Sequence, residues 1–160
     1  LSGEASQLLF QKAKIGYHVW VDANQLVATV LVENRMDLVL AQTNPEEIQT
    51  VFDNVGRSLH RIPSSNKVSF VQTNQGKSTV YALDPSNGTI ETLAALNFSI
   101  TDMYWFSNTS FLYSVGEVIM EFDLTIADHK VFYQNKATAL TTITRILVSP
   151  DKTKLIFVGE

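Results

Sequence analysis

Leu26-Val27-Ala28-Thr29-Val30-Leu31 follows the polar turn Asp22-Ala23-Asn24, and the same arrangement returns three times along the chain. Val68-Ser69-Phe70-Val71 follows Ser64-Ser65-Asn66. Phe111-Leu112-Tyr113-Ser114-Val115 follows Ser107-Asn108-Thr109, and Leu155-Ile156-Phe157-Val158 follows Asp151-Lys152-Thr153. The runs begin at residues 26, 68, 111 and 155, so successive copies lie 42, 43 and 44 residues apart. Six residues before each start stand Trp20, Ile62, Trp105 and Ser149. A fixed period of this kind marks a tandem repeat, and it governs the reading of everything else.

Each period divides into four short strands. In the second copy they fall at 59–62, 67–72, 78–83 and 89–93, separated by Pro63–Asn66, Thr73–Lys77 and the run Asp84-Pro85-Ser86-Asn87-Gly88. Proline presets one turn torsion, and Asn-Gly supplies the positive φ that a tight turn needs. The third copy reads as strands at 100–105, 110–115, 118–123 and 130–134, the first as strands at 17–21, 25–31, 36–40 and 48–52. No segment repeats apolar residues at i, i+3 and i+4, so almost no helix is expected, and 44–47 reads as a loop.

Four antiparallel strands every ~40–45 residues is the blade period of a β-propeller. One such sheet cannot bury both of its apolar faces, so blades stack around an axis and each covers its neighbour. An immunoglobulin-type sandwich is the alternative, and it needs no such period. The expected fold is all-β, a partial β-propeller of about three and a half four-stranded blades in one domain. The blades map to 17–54, 55–98 and 99–138, with a half blade at 139–160. Leu8-Leu9-Phe10 aligns with Thr50-Val51-Phe52, so 7–11 reads as an orphan outer strand of a preceding blade. The chain opens on Leu1 and reads as the C-terminal part of a longer protein. Its partners are then the missing N-terminal blades, or a second copy that completes the ring, because bare sheet faces are sticky.

Hydrophobic residues make up 45% of the 160 and charged residues 18%, a globular balance. Twelve Lys+Arg against 16 Asp+Glu give a net charge of -4, which argues against a nucleic-acid partner. No apolar run approaches the ~20 residues of a membrane-spanning helix. Cysteine is absent, which removes disulfides, thiolate metal sites and cysteine nucleophiles and leaves the compartment open.

Ser149-Pro150-Asp151-Lys152-Thr153-Lys154-Leu155-Ile156-Phe157 resembles the S-P-D-G-x-x-[IL]-x-[FY] signature of TolB-like (PD-type, WD-repeat-like) propeller repeats, with Lys152 where the family usually has Gly. Trp105-Phe106-Ser107-Asn108-Thr109-Ser110-Phe111 is a degraded copy. Gly16–Asp22, Gly56–Ile62 and Ile143–Arg145 resemble the C-terminal half of a group of exported propeller proteins of Bacteroidetes-type bacteria. The resemblance implies a six-bladed ring and a periplasmic or extracellular location, and it implies no catalytic residue. At Lys152 the missing Gly implies a turn that departs from the family's.

The first strand of each blade lines the channel. Gly16, Ser58, Thr101 and Arg145 align in one row, and His18, His60, Met103 and Leu147 in the next. The functional reading is a polar ligand site at one mouth, with His18 and His60 as contacts and Arg57, Arg61 or Arg145 holding an anion. The structural reading is that these groups bind channel water or cap strand amides. Two histidines fall short of the three or four protein ligands that zinc takes, and Asp22 and Asp102 are poorly placed to add to them, so no metal and no cofactor is expected. No Gly-x-Ser-x-Gly elbow, phosphate loop or Asp box occurs, and Asp128-His129 reads as a solvated pair. Trp20 and Trp105 share a repeat position and read as wedges between blades rather than as stacking platforms. Sequons at Asn87, Asn97 and Asn108 are ordinary in a turn-rich chain. The expected function is a non-enzymatic interaction or scaffold module that binds a protein or an envelope component. The alternatives are a propeller hydrolase or lyase acting in the channel, and a gating domain of a peptidase.

Overall fold

The computed structural model describes residues 10, 13–135 and 140–160. Fourteen strands and no helix occur among them. The first sheet comprises β1 (Ile15–Trp20), β2 (Gln25–Val32), β3 (Arg35–Thr43) and β4 (Glu46–Phe52). The second comprises β5 (Leu59–Arg61), β6 (Val68–Asn74), β7 (Lys77–Leu83) and β8 (Ile90–Leu96). The third comprises β9 (Met103–Trp105), β10 (Ser110–Val115), β11 (Val118–Asp123) and β12 (Asp128–Gln134). β13 (Ile143–Val148) and β14 (Leu155–Gly159) pair alone as a two-stranded sheet. Every sheet is antiparallel, with its strands side by side in sequence order. This is a partial β-propeller: three blades and an inner hairpin. Of the expected orphan strand at 7–11, only Phe10 belongs to the described residues; it is buried against Leu26, Ala28, Val30, Val39 and Ala41.

Turn chemistry sets the strand limits. Gln75 and Gly76 both take positive φ (50° and 75°), which closes β6–β7 with the two-residue turn whose twist matches the strands. Gly88 has φ 74° after Asn87, as the Asn-Gly pair predicts. The segment expected as a loop at 44–47 is shorter than that, because β4 already begins at Glu46. Lys152 sits at φ 59°, so the hairpin keeps a left-handed residue although glycine is missing there. The cost of that conformation is offset locally. Asp151 Oδ1 accepts from Thr153 N (3.1 Å), Thr153 Oγ1 (2.9 Å) and Ser149 Oγ (2.5 Å), and Lys152 Nζ stands 4.9 Å over the Phe106 ring. Those hydrogen bonds hold the Asp151 carboxyl below its ordinary pKa.

The core is divided into slabs between blades. Val27, Leu38, Leu59, Val68, Phe70 and Leu83 pack between the first and second sheets. Val71, Val80, Met103, Trp105, Phe111 and Tyr113 pack between the second and third. Leu112, Ile119, Ile143, Ile146 and Val148 join the third to the hairpin. Each blade thus has a leading face toward the sheet before it and a trailing face toward the sheet after it. Asp37, buried in β3, fastens a connection: it accepts from Arg35 Nε (2.9 Å) and Asn54 N (2.9 Å), which holds its carboxyl below the ordinary range. Among the described residues the two end faces of the arc are only partly covered: on the leading face Leu26, Ala28, Val30, Val39 and Ala41 are buried with Phe10, yet large apolar side chains stay exposed at both ends. Trp20 is 39% exposed on the leading side, and Leu147, Ile156 and Val158 are 49%, 56% and 58% exposed on the trailing side.

Candidate functional site

The four inner strands are equivalent, and their hairpin hydrogen bonds fix the equivalence. Val21 N, Ile62 N, Phe106 N and Ser149 N each donate to a residue at or just before the start of the next strand: Gln25 O, Lys67 O, Ser110 O and Lys154 O. Counting back from that bond puts Trp20, Arg61, Trp105 and Val148 on one rung. Val19, His60, Tyr104 and Leu147 form the next, then His18, Leu59, Met103 and Ile146, then Tyr17, Ser58, Asp102 and Arg145. Two of the hairpins carry one more residue than the others, and a fixed offset from the apolar runs does not see it. The rows drawn from sequence therefore require correction. His18 and His60 are not equivalent, and because neighbouring positions of a strand face opposite ways they lie on opposite faces of their blades. Gly16 and Thr101 give way to Tyr17 and Asp102 in the row of Ser58 and Arg145.

That last row gathers at the axis. Ser58 Oγ accepts from Met103 N of the next blade (3.1 Å), and Asp102 Oδ2 accepts from Ile146 N of the next hairpin (3.1 Å), so one repeat position stitches neighbouring inner strands together. Arg145 reaches across the axis to the first blade: its Nη2 donates to Tyr17 Oη at 3.2 Å, and its guanidinium lies 5.5 Å from the Tyr17 ring centroid. Its distance to the Asp102 carboxylate is 4.0 Å, a loose ion pair between a buried acid and a half-exposed base. Arg57, in the connection between the first two blades, donates through Nη2 to Thr144 O at 2.5 Å, beside Arg145.

His60 stands behind this group, its ring 5.8 Å from that of Tyr104. Burial lowers its pKa below the ordinary value, opposed by Asp102 and by a backbone hydrogen bond at Met103 and reinforced by Arg145. His60 Nε2 and Arg57 Nε are both buried without a hydrogen-bond partner. Unsatisfied buried polar atoms are costly, so their concentration at one place needs a reason.

The other two proposed contacts lie elsewhere. Arg61 Nη2 donates to Trp20 O (2.5 Å) and Val21 O (3.0 Å), where it caps the end of the neighbouring inner strand. His18 is exposed on the leading face of the first blade, with its ring 6.5 Å from Trp20. Tyr17 and Asp102 join the site because the hairpins after β1 and β9 are one residue shorter than the other two. Asp22 is occupied with its own turn, accepting from Asn24 N and Gln25 N. Trp105 is buried, and its Nε1 donates to Ser69 Oγ of the preceding blade at 2.8 Å. His129 lies against the Phe98 and Phe122 rings, 6.2 Å from each. Among the described residues there is no helix long and apolar enough to cross a membrane.

No family model matches the chain, and no curated protein matches it. Solved structures do. A structural-genomics protein of unknown function from Bacteroides thetaiotaomicron superposes with a TM-score of 0.72 at 12% identity, over 93% of this chain and 40% of its own. TolB from Acinetobacter baumannii superposes at 0.67 with 14% identity, over 92% of this chain and 38% of its own. The tricorn protease gives 0.63 at 13% identity, over 96% of this chain and 15% of its own. The fold is that of the TolB-like propellers, and the chain spans about two fifths of the length of the first two.

Proposed function

We propose that the chain is part of a non-enzymatic propeller that docks a protein segment or envelope component at its axis. The observation that carries this reading is the convergence of Tyr17, Arg57, Asp102 and Arg145 from the first and third blades, the connection between the first two, and the hairpin, with Arg57 Nε left without an acceptor. A propeller axis is a natural docking point, since every blade contributes a side chain to it. Further blades, of the same chain or of a second copy, belong to this reading, and the exposed apolar side chains of Trp20, Leu147, Ile156 and Val158 support them. So does a bacterial, exported location, periplasmic or extracellular, which the likeness to TolB supports.

Photo-crosslinking in the full-length protein, in the cells that make it, tests the docking. A benzophenone side chain replacing Thr101, exposed beside the axial Asp102, is expected to yield a discrete protein adduct, and one replacing Ile126 on the outer rim none. Adducts of equal yield from both positions, or from neither, would overturn axial docking.

A further inference from the structure

We infer that the axis holds a carboxylate group of the docked ligand, gripped by Arg57 and Arg145 with the Tyr17 hydroxyl as a third donor. This rests on the docking reading above and names the chemistry it uses. Two guanidinium groups and one carboxylate meet there, so the side chains carry one positive charge in excess. The one acid offsets one of the two positive charges without closing to hydrogen-bond distance. Asp102 already accepts the Ile146 N–H at 3.1 Å and stays 4.0 Å from Arg145. Tyr17 Oη accepts from Arg145, which leaves its own proton to donate. Arg57 Nε–H is buried with no acceptor. The group therefore offers three kinds of donor against the single carboxylate of Asp102, the complement of a second carboxylate. A monoanion neutralises the excess charge. A phosphate dianion would overshoot it and press against Asp102.

Arginine side-chain NMR of the full-length protein tests this, with sodium acetate titrated against sodium chloride and sodium phosphate at constant ionic strength. Acetate is expected to shift the Arg57 and Arg145 Nε–H signals saturably. Chloride is expected to leave them in place, and phosphate to act at least threefold more weakly than acetate. Arg145→Gln is expected to weaken acetate binding tenfold or more. Asp102→Asn keeps an acceptor for Ile146 N–H and removes the competing charge, so it is expected to tighten acetate several-fold, an effect that a purely structural aspartate would not produce. Overturning results are equal shifts with chloride, no saturation, or an Asp102→Asn variant that binds acetate no better. Those results with axial crosslinking intact would sink the carboxylate site and spare the docking reading.

Discussion

Trp105 and Trp20 stand on the same rung of the repeat, and they have opposite fates. Trp105 is 6% exposed in the slab between the second and third blades, with its indole N–H on Ser69. Trp20 is 39% exposed on the leading face of the first blade, where no described sheet covers it. The residue and its strand position are the same, and only the neighbour differs. Burial in this fold is conferred by the next blade rather than written into a blade's own sequence. A large side chain on a bare face is the mark of an interface whose other half lies elsewhere.

The sharpest way to break this comparison is to truncate both residues. Trp105→Ala should cost about 3–5 kcal/mol, the usual range for emptying an aromatic site in a packed core. Trp20→Ala should cost under about 1 kcal/mol in the 160-residue chain, because little is packed against it. Urea denaturation of both variants reads the difference. Equal costs would mean that the leading face is already covered. Ser69→Ala sharpens the same point, since it leaves the Trp105 N–H buried without an acceptor, at about 1–3 kcal/mol. That loss should vanish in a Trp105→Phe background, which a double-mutant cycle measures.

Acid titration separates the interior from the periphery. Burial holds folded His60 below its ordinary pKa, so between the two values the unfolded chain binds the extra proton. The stability His60 contributes is fully present above its unfolded pKa of about 6.5, and it is lost as pH falls from there toward the folded value. His60→Gln should flatten the stability curve in that window. It should leave the more acid limb alone, where Asp37, Asp84, Asp123 and Asp151, all held below the ordinary carboxylate pKa, lose their contribution as they protonate. An unchanged slope near neutrality would remove His60 from the buried set. The smallest effect belongs to the exposed hairpin. Lys152→Gly relieves a left-handed residue and gives up the contact with Phe106, for a net gain of no more than about 1 kcal/mol, read as a small rise in Tm.

The period of the apolar runs made the blades legible before any coordinates, because alternate burial in stacked sheets needs the same pattern in each copy. It located β2, β6, β10 and β14, whose cores are continuous apolar runs. The axial site was half legible. Arg57, His60 and Arg145 were marked, whereas Tyr17 and Asp102 were displaced by one residue. A one-residue difference in hairpin length leaves the apolar run where it was and turns every inner-strand side chain to the other face. That difference lies among Pro, Ser, Asn, Asp and Lys, where no hydrophobic pattern records it. The Lys152 turn was misjudged for a related reason. Its φ is held by the hydroxyls of Ser149 and Thr153 on Asp151, partners that a glycine count does not weigh.

Among the described residues β14 pairs with β13 on one side only. Its sequence, Leu155-Ile156-Phe157-Val158-Gly159, has no charge and no proline, with strong β-formers from Ile156 to Val158. Left open, such a margin is a template for cross-β stacking, in which like segments add to one another along a fibre. An arc purified without its closing strands would then be limited by concentration rather than by temperature: dilute samples would stay clear, and crowded ones would gel from that margin outward.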